Sequence, residues 1–145
     1  MLKNQKGFLL LESLLVLSIA ASLVLIPQLM SRSATAAIEG DLFKRNLESS
    51  VTATQNYAVL SGKMTKVELF RQNRKITFTV LEDKNHPFNH TLVFPESVSS
   101  LTNAIEIYFL GGSGNIKNLD SITFNINGEN TKLKFQLGSG RYDWE

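Results

Sequence analysis

From Phe8 to Met30 the chain reads FLLLESLLVLSIAASLVLIPQLM, and Glu12 is the only charge in the run. A helix rises about 1.5 Å per residue, so about 23 such residues match the hydrocarbon core of a bilayer. This run commits the N-terminal part of the chain to one apolar helix. Everything that folds outside an apolar phase has to come from the remainder. A carboxylate at bilayer depth costs about 2.5–3.5 kcal/mol on insertion scales and usually marks a function. Glu12 lies one turn from the start of the helix, where the macrodipole offsets part of its charge. Two readings follow: Glu12 meets a cation on a neighbouring helix, or it lies in the cytoplasmic headgroup region beneath an ordinary signal anchor.

Only MLKNQKG precedes the run, with Lys3, Lys6 and the small residue Gly7 directly before Phe8. A secretory signal is cleaved after its apolar segment, whereas here the small residue comes first. The pattern K-G-F-x-x-x-E ahead of an unbroken apolar helix resembles the N-terminus of type IV prepilins and pseudopilins. That resemblance implies cleavage between Gly7 and Phe8 by a prepilin peptidase on the cytoplasmic side, and methylation of the new amine of Phe8. It also implies that Glu12 pairs with the amine of a neighbouring subunit during assembly. The lysines before the helix and Arg32 after it give little charge asymmetry, so the cytoplasmic placement of the N-terminus comes from the resemblance.

At 145 residues the chain accommodates one membrane helix and one small domain. It has no cysteine, so neither a disulfide framework nor a thiolate metal site is available. The net charge is +2, and losing Lys3 and Lys6 with the leader leaves as many basic as acidic side chains. Overall charge therefore does not draw a polyanion to this chain. Lys63, Lys66, Arg71, Arg74 and Lys75 form the one candidate basic patch. A solvated rim is the plainer reading of these residues, and direct DNA binding is not the expected role.

Pro27 removes a backbone hydrogen bond and crowds the preceding turn, so a kink is expected there, or simple tolerance near the membrane exit. Beyond Met30 the helical period continues in amphipathic form, with Ile38, Leu42, Phe43, Leu47, Val51 and Ala58 on the apolar side. Gly40 weakens this helix without breaking it, and Ser61-Gly62 supplies the stop. The spacing predicts one helix from about Phe8 to Leu60.

The remainder reads as β structure. Strands are expected at Lys66–Phe70 and Lys75–Glu82 around a turn at Gln72-Asn73, and at His90–Phe94 between Pro87 and Pro95. Glu96–Asn103 has no strong period and is expected to be a loop or a short helical turn. Further strands are expected over Ile105–Phe109, Ile122–Ile126 and Leu133–Leu137, with a break at Gly111–Gly114 and a hairpin at Asn127-Gly128. These last three are expected to form one antiparallel sheet under the amphipathic half of the helix. The fold class is thus α+β and pilin-like. Its expected parts are a leader at 1–7, a transmembrane or filament-core helix at 8–30, an amphipathic helix at 31–62 and a β-rich domain at 63–145.

The series IYFLGGSGNIKNLDSITF and LKFQLGSGRY, together with FLLLESLLVL, resembles the ComGD-type minor pseudopilins of Gram-positive competence systems. This narrower resemblance implies a subunit of a competence pilus used in DNA uptake. Such a subunit sits in the cell membrane as a single-pass protein before assembly and at the cell surface afterwards. Its partners would be other major and minor competence pilins, the prepilin peptidase and, indirectly, an assembly ATPase and a membrane platform protein. A pseudopilin of a type II secretion system or an adhesive type IV pilus is the alternative within the fold. A signal-anchored extracellular binding module is the alternative from another class.

Catalytic patterns are missing from the sequence. His86 and His90 beside Glu82 and Asp83 suggest a metal site only loosely, since Pro87 disrupts the spacing that would orient them. Gly111–Gly114 is followed by neither a Lys-Ser/Thr pair nor a helix pattern, and no G-x-S-x-G elbow is present. No enzyme, metal or cofactor is expected. The tail Arg141, Tyr142, Asp143 and Trp144 carries residue types frequent at protein interfaces. It could seat on a neighbouring subunit or close the edge of its own sheet.

Overall fold

Gly40, Phe43, Leu47, Val51, Thr54 and Ala58 recur every three or four residues, and all are buried in a computed structural model of the chain. They form the inward stripe of helix α1 (Gln5–Ser61). The structure describes residues 5–118, 120–136 and 138–145; the side chains at 5–8, 24 and 26–33 also lie outside the description. Contacts divide the chain into two units, residues 1–36 and 37–145.

Among the described residues of the second unit, α1 is followed by eight strands: β1 (Thr65–Phe70), β2 (Lys75–Val80), β3 (His90–Val93), β4 (Val98–Ser100), β5 (Ile105–Phe109), β6 (Ser121–Ile126), β7 (Glu129–Phe135) and β8 (Tyr142–Trp144). They make two four-stranded antiparallel sheets, in the orders β3-β2-β1-β5 and β4-β6-β7-β8. The α+β class and the helix-on-sheet arrangement are as the sequence predicts.

The single C-terminal sheet is not. Ile105–Phe109 is a strand as expected, but it pairs with β1 through Val67↔Ile107 and leaves β6 and β7 to a second sheet. The segment 96–103 is also more ordered than expected. Val98 and Ser100 are buried, and Val98 lies opposite Ile126 in β4. A three-residue strand is too short to show a period, and its order comes from its partner β6. The expected returning strand ends at Phe135, and Leu137 lies outside the described residues.

The two sheets and α1 share one core. Phe43 of α1 meets Phe94 and Phe124 edge to face, with centroids 5.2 and 5.5 Å apart. Aromatic rings prefer this geometry because the positive edge of one faces the negative face of the other. Ile38 and Leu42, expected on the inward stripe, are 60% and 53% exposed. Phe43 takes the core position, and at about 100° per residue its neighbour Leu42 must point elsewhere.

Local chemistry sets the ends of these elements. Asn127 and Gly128 have φ of 54° and 88°, the pair of positive values that a type I′ hairpin turn needs. Gly40 lies so close to β6 that an added Cβ would sit 2.7 Å from Cγ2 of Ile126 and 2.6 Å from Nδ2 of Asn127. The Ala58 carbonyl, in the last turn of α1, accepts the N–H of Gly112 at 2.9 Å. That bond satisfies one of the groups a helix end leaves open.

Candidate functional site

The apolar run lies in the first unit. Leu9, Leu10, Leu11, Leu14, Leu15, Val16, Leu17, Ile19, Leu23 and Leu25 are each more than half exposed, on every side of the helix. Its polar side chains are mostly self-satisfied. The hydroxyls of Ser13, Ser18 and Ser22 donate to the carbonyls of Leu9, Leu15 and Ser18, each at 2.8 Å. Backbonding of this kind lets a serine sit in an apolar setting without an orphaned donor. Glu12 has no such outlet. It is exposed, and among the described residues no group pairs with it.

The expected processing point falls in the first turn of α1. Gly7 and Phe8 are helical, while residues 1–4 and the side chain of Phe8 lie outside the described residues. Position 27 lies within the helical span, and the Pro27 ring, with the kink expected from it, lies outside the described residues. Among the described residues no helix is long and apolar enough to cross a membrane. The stretch expected to do so includes positions whose side chains are outside that set.

The second unit engages its C-terminal tail internally. Tyr142–Trp144 is β8, the edge strand paired with β7 through Leu133↔Trp144. The indole N–H of Trp144 donates to Oε1 of Glu48 at 2.6 Å, and the Tyr142 hydroxyl donates to the Glu48 carbonyl at 3.0 Å. Since that carbonyl can only accept, the Tyr142 hydrogen is committed to it. Thr52 Oγ1, 2.8 Å away, must then donate to the Tyr142 oxygen. The Lys44 ammonium lies 5.5 Å from the Trp144 ring centre, within range of a cation–π attraction. Arg141 is exposed beside this clamp. Of the two roles open to the tail, edge closure is the one seen within the chain.

One residue missed by the sequence reading is Gln55. Its side-chain amide donates to the carbonyls of Gly114 and Ser139, both at 3.0 Å, so one helix residue holds two glycine turns. A polar residue in an amphipathic helix gives no sign of this. The glycines at 111–114 and 138–140 are the only available signal.

The five basic residues do not form one patch. Lys63 precedes β1 and Arg71 follows it, and a six-residue strand separates its ends by about 20 Å. Lys66 is paired with Glu68 at 2.7 Å and Glu106 at 3.1 Å. Arg71 donates to Oδ1 of Asn103, and Arg74 donates to the carbonyls of Pro95 and Val98. The Lys75 ammonium lies 5.4 Å from the centre of the Phe70 ring. His86 and His90 have both ring nitrogens in hydrogen bonds to protein groups. Among the described residues no cluster of His, Asp and Glu could hold a metal ion.

No family model and no curated protein sequence matches the chain. Solved structures do. The minor pseudopilin EpsH of the type 2 secretion system of Vibrio cholerae superposes with a TM-score of 0.56 at 16% identity, covering 74% of this chain and 96% of that one. A second EpsH structure gives 0.58 at 13% identity, over 74% and 94%. The type IV minor pilin FimU of Pseudomonas aeruginosa gives 0.55 at 12% identity, over 79% and 89%. The chain has the pilin fold. In this pilin-fold chain the amphipathic half of α1 supplies the helical layer, and the two sheets supply the β layer against it.

Proposed function

We propose that the chain is a minor pseudopilin, a structural and assembly subunit of a competence pilus that helps bring extracellular DNA to the cell. The observation that carries this reading is Glu12, a carboxylate with no partner among the described residues, set in an otherwise apolar run whose described side chains are exposed, in a chain whose fold is that of pilins. A surface this apolar needs lipid or other helices around it. In lipid it acts as a single membrane anchor with its N-terminus in the cytoplasm. In a filament it packs against like helices, and the amine of a processed Phe8 compensates Glu12 where lipid cannot.

In this proposal the leader 1–7 is removed between Gly7 and Phe8 by a prepilin peptidase. The subunit then joins major and minor pilins through an assembly ATPase and a membrane platform protein. Its role is structural rather than enzymatic. Mass spectrometry of the membrane-derived protein should find methylated Phe8 at the N-terminus; an intact Met1 in peptidase-competent cells overturns the reading.

The competence assignment rests on the sequence resemblance of the C-terminal third and of FLLLESLLVL, and the likeness to EpsH supports a type II secretion pseudopilin as the second reading. Deleting the gene separates them. Loss of transformation with secretion intact supports the first, and loss of secretion with transformation intact supports the second.

A further inference from the structure

Both histidines of the chain lie at the β2–β3 connection, and their rings clasp a single residue. The N–H of Phe88 donates to Nδ1 of His86 at 3.1 Å, and the carbonyl of Phe88 lies 2.9 Å from Nδ1 of His90. A backbone N–H only donates and a carbonyl only accepts, so each ring's tautomer is fixed. His86 has a bare Nδ1 and carries its proton on Nε2, donating it to the Tyr57 hydroxyl of α1 at 2.8 Å. His90 is the reverse, with Nδ1–H donating to Phe88 and Nε2 facing Oγ of Ser50 on α1 at 3.1 Å. Phe88 stacks on Tyr57 with centroids 4.8 Å apart, and His90 stacks on Phe78 of β2 at 4.6 Å.

The two rings respond differently to a second proton. His90 keeps both bonds, because a hydroxyl accepts from Nε2–H as readily as it donates to a bare nitrogen. His86 does not. A proton on its Nδ1 opposes the Phe88 N–H, and turning the ring restores no acceptor because both nitrogens are then occupied.

We propose that His86 is the acid-sensitive half of a latch that seats Phe88 on α1, and that His90 is the half that holds in either charge state. A second proton on His86 unseats Phe88 from Tyr57. The charged residues of the connection are Glu82, Asp83 and Lys84, while α1 presents Ser50 and Tyr57 and β2 presents Phe78. Among the described residues neither imidazole is in an ion pair. Asn89 confines the movement. Its side chain accepts the Val80 N–H and donates to the carbonyls of Asp83 and Lys84, which fixes the rest of the loop.

The test is NMR on the full-length chain in detergent micelles, following ring nitrogen shifts and amide hydrogen exchange corrected for its intrinsic rate. At pH 7.5 His86 should carry its proton on Nε2 and His90 on Nδ1. On going to pH 5.0, protection of the Phe88 amide should fall about tenfold while that of Phe78 in the core is retained. His86→Asn, whose Oδ1 can replace Nδ1 as acceptor and does not titrate, should keep Phe88 protected at both pH values. Equal Phe88 protection at both pH values in the natural chain overturns the proposal. So does an Nδ1-protonated His86 at pH 7.5, or acid loss of protection that persists in His86→Asn.

Discussion

Trp144 and Glu48 are joined by a hydrogen bond of 2.6 Å across 96 residues of sequence, so β8 is fastened to the C-terminal third of α1. A hydrogen bond to a charged group contributes about 1.5–3 kcal/mol, with the lower end fitting a half-exposed pair. Trp144→Phe keeps most of the packing and removes the donor. It should lower stability by about 1–2 kcal/mol in urea unfolding. Tyr142→Phe should cost about 1 kcal/mol. Because both act on Glu48, the double variant should lose less than the two single losses added together.

At Gly40 two effects compete. Replacing a helical glycine by alanine ordinarily stabilises by about 1 kcal/mol. Here the new methyl group would press on Ile126, which is buried and cannot give way freely. Overpacking costs about 1–3 kcal/mol, so Gly40→Ala should be net destabilising. Thermal unfolding would show a lowered midpoint, and a raised midpoint would mean that β6 yields easily.

Gly140 gives a sharper case, since its φ is +64° and an added Cβ would lie 2.4 Å from the Gly114 carbonyl oxygen. Gly140→Ala should therefore cost more than Gly40→Ala, by strain and by displacing Gln55. Gln55→Ala should loosen both glycine turns together, which amide hydrogen exchange at residues 112–114 and 138–140 can follow.

On the outer face of the first sheet, the Glu106 carboxyl is held below its ordinary range, first by the Tyr108 hydroxyl and then by Lys66. Burial works to lower the Lys66 pKa, but hydrogen bonds to Glu68 and Glu106 outweigh it and the net shift is upward. A carboxylate with a depressed folded-state pKa stabilises above its unfolded value, and loses that contribution as pH falls through the folded one. A raised lysine stabilises below its unfolded value, and loses that contribution as pH rises through the folded one. These groups face solvent, so Lys66→Met should cost no more than about 1 kcal/mol at neutral pH. The difference from the natural chain should vanish in acid below the carboxylate range, and also in strong alkali. A difference that persists in acid would point to packing rather than charge.

For Glu12 the outcome is read in cells. Glu12→Gln preserves shape and removes the charge, so it should leave membrane insertion intact and abolish incorporation into filaments. Sheared surface fractions probed by immunoblot measure this, and incorporation at natural levels would remove the assembly role.

Much of the fold was legible because its signals are periodic. Phe43, Leu47, Val51 and Ala58 keep helical spacing, and Ile76, Phe78 and Val80 keep strand spacing, since each faces one core. Asn127-Gly128 was legible from backbone sterics alone. Sheet membership was not, because the alternation in Ile105–Phe109 fixes which side chains face inward but not which strand lies alongside. The Gln55 bridge and the histidine clasp depend on residues brought together from distant parts of the chain, and no local pattern carries them. Nearness in sequence is equally silent on distance in space, since the length of β1 separates Lys63 from Arg71.

The interleaving of the two sheets bears on how the second unit comes into being. The chain leaves the first sheet after β3, opens the second with β4, and only then returns to complete the first with β5. The first sheet has all its strands by Phe109, whereas the second lacks its last strand, and with it the tie to α1, until Tyr142–Trp144. A nascent chain therefore exposes an unfinished edge of the second sheet until β8 is made, and ordering should be all-or-none. Removing residues 141–145 should yield a protease-sensitive second unit instead of a slightly weakened one.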